Sequence, residues 1–146
     1  ARLHGGVFVP HAVRIECTAR PDKPAAVAIE RAFALGHLAP QPDRIVLAGR
    51  QIGTLDAGES AAIELAEALG ARLLVDERRG RAVARARGLT VVGTVAVLIA
   101  ARRRGFVPAL SPLFDRLAAG GYFLSNALIE AALAQVGEDE SSGRPT

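Results

Sequence analysis

The stretch Leu73-Leu74-Val75-Asp76-Glu77-Arg78-Arg79-Gly80-Arg81 constrains this chain more than any other. A short apolar run stops at two carboxylates, and arginines with one glycine follow at once. Such a run, bounded by polar residues, reads as a buried strand, and the Ala and Arg residues from Arg81 to Arg87 read as the helix after it. Asp76 then stands at a strand's carboxyl end. In open α/β sheets, ligands bind in the crevice beyond that edge.

The flanking sequence repeats the alternation. Arg44 to Ala48 reads as a strand, Ala57 to Leu69 as a helix stopped by Gly70, and Leu89 to Gly93 as a further strand. Thr94 is placed to cap a helix running to Arg104, and Pro112 to Ala119 and Ser125 to Val136 supply two more, with Ser125 as a cap and Gly137 as a stop. Before Arg44, Val7-Phe8-Val9 is a brief strand closed by Pro10, and His11 to Ala19 form a helix carrying Glu16. A second helix spans Ala25 to Leu38, and Pro40, Pro42 and Asp43 read as a connection. Strand and helix in alternation argue for an α/β fold, a parallel sheet flanked by helices. Residues 1–137 read as a single domain, and residues 138–146 as a disordered polar tail.

Composition excludes several classes. Half the residues are hydrophobic and 23% are charged, so the chain is neither disordered nor fibrous, and with 4% aromatics its core is aliphatic. Cys17 is the single cysteine, which rules out an intrachain disulfide and a cysteine-based zinc site and fits a reducing cytoplasm. The apolar passage from Leu89 to Ala101 is broken by Thr90, Gly93 and Thr94, too short and too interrupted to span a membrane. The start lacks a signal-peptide pattern. It also lacks methionine, as does the whole sequence, so a processed chain or a fragment is expected. Net charge is +3, and Lys23 is the one lysine. Arginine forks match phosphates and carboxylates, which suits a nucleic acid or an acidic protein; a genome rich in Arg and Ala codons is the alternative.

No glycine pattern has the spacing of a phosphate loop or a dinucleotide fingerprint. His4, His11 and His37 are scattered without metal-ligand spacing, and no serine sits in a nucleophile elbow. Three carboxylates remain, Glu16, Glu59 and Asp76, each near the end of a separate element. Hard oxygen donors without histidine or cysteine suit Mg²⁺ or Mn²⁺, and such an ion fits phosphodiester hydrolysis. Each acid also has a purely structural reading. Glu59 completes a capping box with Asp56, Asp76 caps the helix after it, and Glu16 is a solvated helix residue.

The passage from Leu55 to Ala66, with Leu73 to Arg81 and Val91-Val92-Gly93-Thr94-Val95, resembles a prokaryotic branch of the PIN-domain family. Val9-Pro10-His11-Ala12-Val13-Arg14-Ile15-Glu16 is similar to that family's second segment. The resemblance runs to about Ala134 and is most specific over residues 55 to 95. It implies a three-layer fold and an Mg²⁺- or Mn²⁺-dependent ribonuclease of the toxin-antitoxin type, neutralised by a small antitoxin. It further implies that Glu16, Glu59 and Asp76 are catalytic metal-site acids, with Glu77 and Thr94 near the site. Arg78, Arg79 and Arg81 are then expected to engage the RNA backbone, and a homodimer is expected because family members commonly dimerise.

In one respect the chain departs from the family. PIN domains begin with a central strand ending in an aspartate, whereas this sequence starts at what reads as the end of the following helix. A sheet without its central strand and a metal site without one ligand are the expectation. Two rival readings follow: a catalytically impaired module that binds RNA or a protein, its acids serving as caps, and a structural pseudoenzyme that dimerises through a helix such as Ser125 to Val136.

Overall fold

The computed structural model describes residues 5–42 and 52–138. Two compact units divide the chain, Ala1–Val92 and Gly93–Thr146.

In the first unit, strand β1 (Phe8–Pro10) leads directly into helix α1 (His11–Thr18). Pro10 occupies the N-cap of α1, where a missing N–H costs nothing. Helix α2 (Pro24–Ala34) again starts on a proline, in the first turn where its fixed φ suits the helix. Strand β2 (Ala39–Gln41) pairs with β1 in parallel, with Phe8 opposite Ala39, Val9 opposite Pro40 and Pro10 opposite Gln41. The two prolines made residues 39–43 look like a plain connection, yet among the described residues β1 and β2 pair with each other alone, and an edge strand accommodates Pro40.

Helix α3 (Ala57–Leu69) has the bounds that its apolar stripe predicts. Asp56 caps its start, accepting from the Glu59 N–H at 2.7 Å, and Gly70 ends it in the left-handed region at φ 59°. Strand β3 (Leu73–Leu74), helix α4 (Arg78–Ala86) and strand β4 (Val91–Val92) follow. β3 and β4 are parallel, and the Val75 N–H donates to the Val92 carbonyl at 3.0 Å, just beyond the paired residues. The core of this unit gathers Leu55, Ile63, Ala66, Leu73 and Ala84, with Val75, Val83 and Val91 packed against it. The expected strand from Arg44 to Ala48 lies outside the described residues. Among those described, the strands make two separate parallel pairs instead of one continuous sheet.

The second unit is helical, with α5 (Thr94–Arg103), α6 (Ser111–Ala119) and α7 (Asn126–Ala134) around Ile99, Leu110, Phe114 and Ala132. Ser125 caps α7, its hydroxyl accepting from the Leu128 N–H at 3.3 Å. Thr94, expected as the cap of α5, is instead its first residue, and Gly93 occupies the cap position. The Glu138 carboxylate closes the unit: it takes 2.5 Å from Arg102 Nε and 2.7 Å from the Leu110 N–H at the start of α6. An acid there satisfies an otherwise orphaned amide and opposes the helix dipole. Among the described residues, seven helices with small parallel sheets make an α/β fold, the class that the alternation predicts. No helix among the described residues is long and apolar enough to cross a membrane.

Candidate carboxylate site on the first turn of α3

The first turn of α3 exposes backbone N–H groups with no intrahelical partner. Two glutamates come to this turn from different sides. Glu16, near the end of α1, accepts from the Gly58 N–H at 3.0 Å, a contact that spans 42 residues of sequence. The side of Gly58 that a Cβ would occupy is filled by this carboxylate; an added Cβ would lie only 2.8 Å from Glu16 Cδ. Only glycine lets the acid rest on the backbone here.

Glu16 is itself held by its helix. Two residues earlier, Arg14 forks onto Glu30 of α2, with Nε to Oε1 at 3.1 Å and Nη2 to Oε2 at 2.7 Å. The same guanidinium lies 4.4 Å from the centre of the Phe33 ring. The fork lowers the Glu30 carboxyl from its ordinary range, chiefly through the Arg14 hydrogen bond. Stacking and fork together fix α1 against α2.

Glu59 belongs to α3. Its N–H donates to the Asp56 carboxylate, and the Asp56 N–H faces the Glu59 carboxylate, the arrangement of a capping box. That box does not use the whole group, because Oε1 is buried without a hydrogen-bond partner. Burial pushes the Glu59 carboxyl above the ordinary glutamate range, Asp56 and Glu77 add to the rise, and the Asp56 N–H and Arg79 oppose it. The buried oxygen lies against α4: a Cβ on Gly80 would stand 2.8 Å from Glu59 Oε1 and 3.1 Å from Val75 Cγ2. Gly80 is thus the second position where a missing side chain makes room for an acid.

The remaining expected residues are placed as follows. Asp76 is exposed just beyond β3; the cap position of α4 belongs to Glu77, which makes no side-chain cap bond. Arg78 and Arg79 are exposed in the first turn of α4, and Arg81 is half-buried. Arg79 Nη1 reaches the Thr54 carbonyl at 3.5 Å, just before α3. Thr94 opens α5 in the second unit.

Carboxylate oxygens are the right donors for Mg²⁺ or Mn²⁺, and Glu59 Oε1 has lone pairs to give. The grouping does not match the donors. Among the described residues no three His, Cys, Asp or Glu side chains converge on one point, and the Glu16 carboxylate is engaged with Gly58. As arranged here, Glu16, Glu59 and Asp76 do not form a complete ligand set.

Gly58 and Gly80 were not legible as site residues. A glycine between arginines reads as a boundary, so the helix was expected to start at Arg81; it starts at Arg78 and carries Gly80 inside it. The available signal was the spacing of Gly80 and Ala84, two small residues one turn apart on what proves the buried side of α4.

Comparison with known families finds a match. The family model described as DUF3368, a PIN domain, matches residues 1–138. Searches of curated proteins and of solved structures found no match.

Proposed function

The chain belongs to the PIN-domain family, and from that membership we propose that it is an endoribonuclease that hydrolyses RNA phosphodiesters with Mg²⁺ or Mn²⁺. PIN domains are nuclease-type domains that generally use divalent metal ions. The observation that carries the reading is the buried, unpartnered Glu59 Oε1 with the space kept for it by Gly80. A fold leaves a buried acceptor without a partner only at a cost, and such positions concentrate at functional sites. In this reading Glu16, Glu59 and Asp76 are the site acids, Glu77 lies near them, and Arg78, Arg79 and Arg81 face the RNA backbone. A toxin role, a small antitoxin partner, a homodimer and a cytoplasmic setting follow from the family resemblance alone.

Incubation of the purified chain with RNA tests the reading. Cleavage with Mg²⁺ or Mn²⁺, abolished by EDTA and by Glu59→Gln, is the expected result; no cleavage with either ion overturns it.

One observation favours a second reading, a catalytically impaired module that binds RNA or protein. It is the lack of three converging metal-ligating side chains among the described residues. That reading predicts RNA binding of equal strength with and without divalent ions.

A further inference from the structure

Helix α4 carries arginines at 78, 79, 81 and 85, Arg87 caps its end, and the fold treats the five differently. Arg87 forks onto Glu67 of α3, with Nε to Oε1 at 2.6 Å and Nη2 to Oε2 at 2.8 Å. Arg79 turns back to the Thr54 carbonyl. Arg78, Arg81 and Arg85 have neither an acidic nor a hydrogen-bonding partner among the described residues.

These three share one face. At about 100° per residue, positions 78, 81 and 85 fall within roughly 60° of one another, and they step along the axis by about 4.5 and 6 Å. The opposite face holds buried Gly80 and Ala84 and the paired Arg87. The helix is therefore split between a packed side and a line of uncompensated positive charge.

Folding does not account for that line. Arg81 stands three residues after Arg78 and four before Arg85, spacings at which like charges repel along a helix. Arg78 lies in the first turn, where the dipole disfavours a cation, and the nearest acid on the helix, Glu77 at the N-cap, makes no bond to it. A polyanion laid along the face would relieve all three contacts. No large apolar side chain of α4 is exposed between them, so the face lacks the anchor residues of a protein interface.

We propose that the Arg78, Arg81 and Arg85 face of α4 is a track for the backbone of single-stranded RNA, each arginine neutralising a phosphate. The proposal rests on the nuclease reading for its choice of polymer, and it revises that reading in one place: Arg85 takes the position given there to Arg79, which turns to the Thr54 carbonyl, while Arg87 stays with Glu67. The contacts are to phosphate and carry no base preference.

The test uses the full chain and a 5′-fluorescein oligouridylate of about 12 nucleotides in EDTA, read by anisotropy from roughly 50 to 200 mM NaCl. Each phosphate contact on a single strand contributes about 0.7 to the slope of log Kd against log salt. The triple variant Arg78→Gln, Arg81→Gln, Arg85→Gln is expected to flatten the slope by about 2 and to raise Kd at least about tenfold at the lower salt. A control that removes the same charge from Arg20, Arg31 and Arg116, all exposed, keeps the wild-type slope. Circular dichroism confirms that both variants are folded. Equal slopes for the two triple variants overturn the proposal, as does an unchanged RNA slope in the stripe variant together with lost binding to a poly-glutamate peptide. Because EDTA removes the metal requirement, a chain that binds through the stripe yet never cleaves RNA sinks the nuclease reading and leaves the track standing. RNA cleavage by the stripe variant with unchanged KM sinks the track and leaves the nuclease.

Discussion

A single carboxylate sets the terms at the residue scale. Glu59 is half capping box and half unpaired buried oxygen, and the two halves predict different things. Gly80→Ala separates them. Alanine is favoured over glycine in a helix interior by about 1 kcal/mol, which offsets the small shift that Val75 Cγ2, 3.1 Å from the added Cβ, must make, so thermal denaturation should show a change of no more than about 1 kcal/mol. The Glu59 carboxyl must move, and RNA cleavage should fall at least about tenfold, the size of a modest change in site geometry. A variant that melts early yet cleaves normally would contradict this assignment. Glu59→Gln addresses the charge. Because the carboxyl is raised in the fold, the folded state holds its proton more tightly than the unfolded chain does. The cost of ionisation is present above the folded value and is relieved as pH falls below the ordinary glutamate value. Urea denaturation should therefore find the variant more stable than wild type near neutrality, with the advantage shrinking at about pH 4.

Elements differ in how they are anchored. Ile63 of α3 is 1% exposed at the centre of its core, whereas Leu69, at the end of the same helix, is 45% exposed. Ile63→Ala should lower unfolding free energy by about 2 to 5 kcal/mol, and Leu69→Ala by much less, both read by denaturant titration. The bounds of α3 were plain in the sequence because cap, apolar stripe and terminal glycine agree. Where signals conflicted, the reading slipped. Two prolines hid β2, and Gly80 hid the first turn of α4. The acids were legible as types, since Glu16 and Glu59 do meet the same turn of α3. What they rest on was not legible, because a glycine that makes room for a carboxylate leaves no mark in hydrophobic periodicity. Whether three acids converge is likewise a property of three-dimensional placement, and among the described residues no three do.

For the molecule as a whole, the two units carry acids with opposite responses to pH. Burial would raise Glu138, but the Arg102 bond and the Leu110 and Ser111 amides outweigh it and hold the carboxyl below the ordinary range. Its contribution is present above the unfolded glutamate value and is lost as pH falls through the lower folded value. Glu59, raised instead, relieves its own unit over a higher window. Hydrogen exchange at the amides of α6 should therefore quicken as pH is lowered below about 4.5, after correction for intrinsic rates. In Glu138→Gln that pH dependence should be largely absent.

The bond from Glu16 to Gly58 also has a consequence in time. It closes 42 residues of chain, while the Arg87 to Glu67 fork closes 20. Each doubling of loop length adds about 0.6 kcal/mol of closure entropy, and short-range contacts form first in small domains. During refolding, the hairpin of α3 and α4 is expected to assemble with its arginines in place before α1 delivers its carboxylate. Glu16 is then the later of the two glutamates to reach the first turn of α3, since Glu59 is part of that turn and Glu16 must close the longer loop.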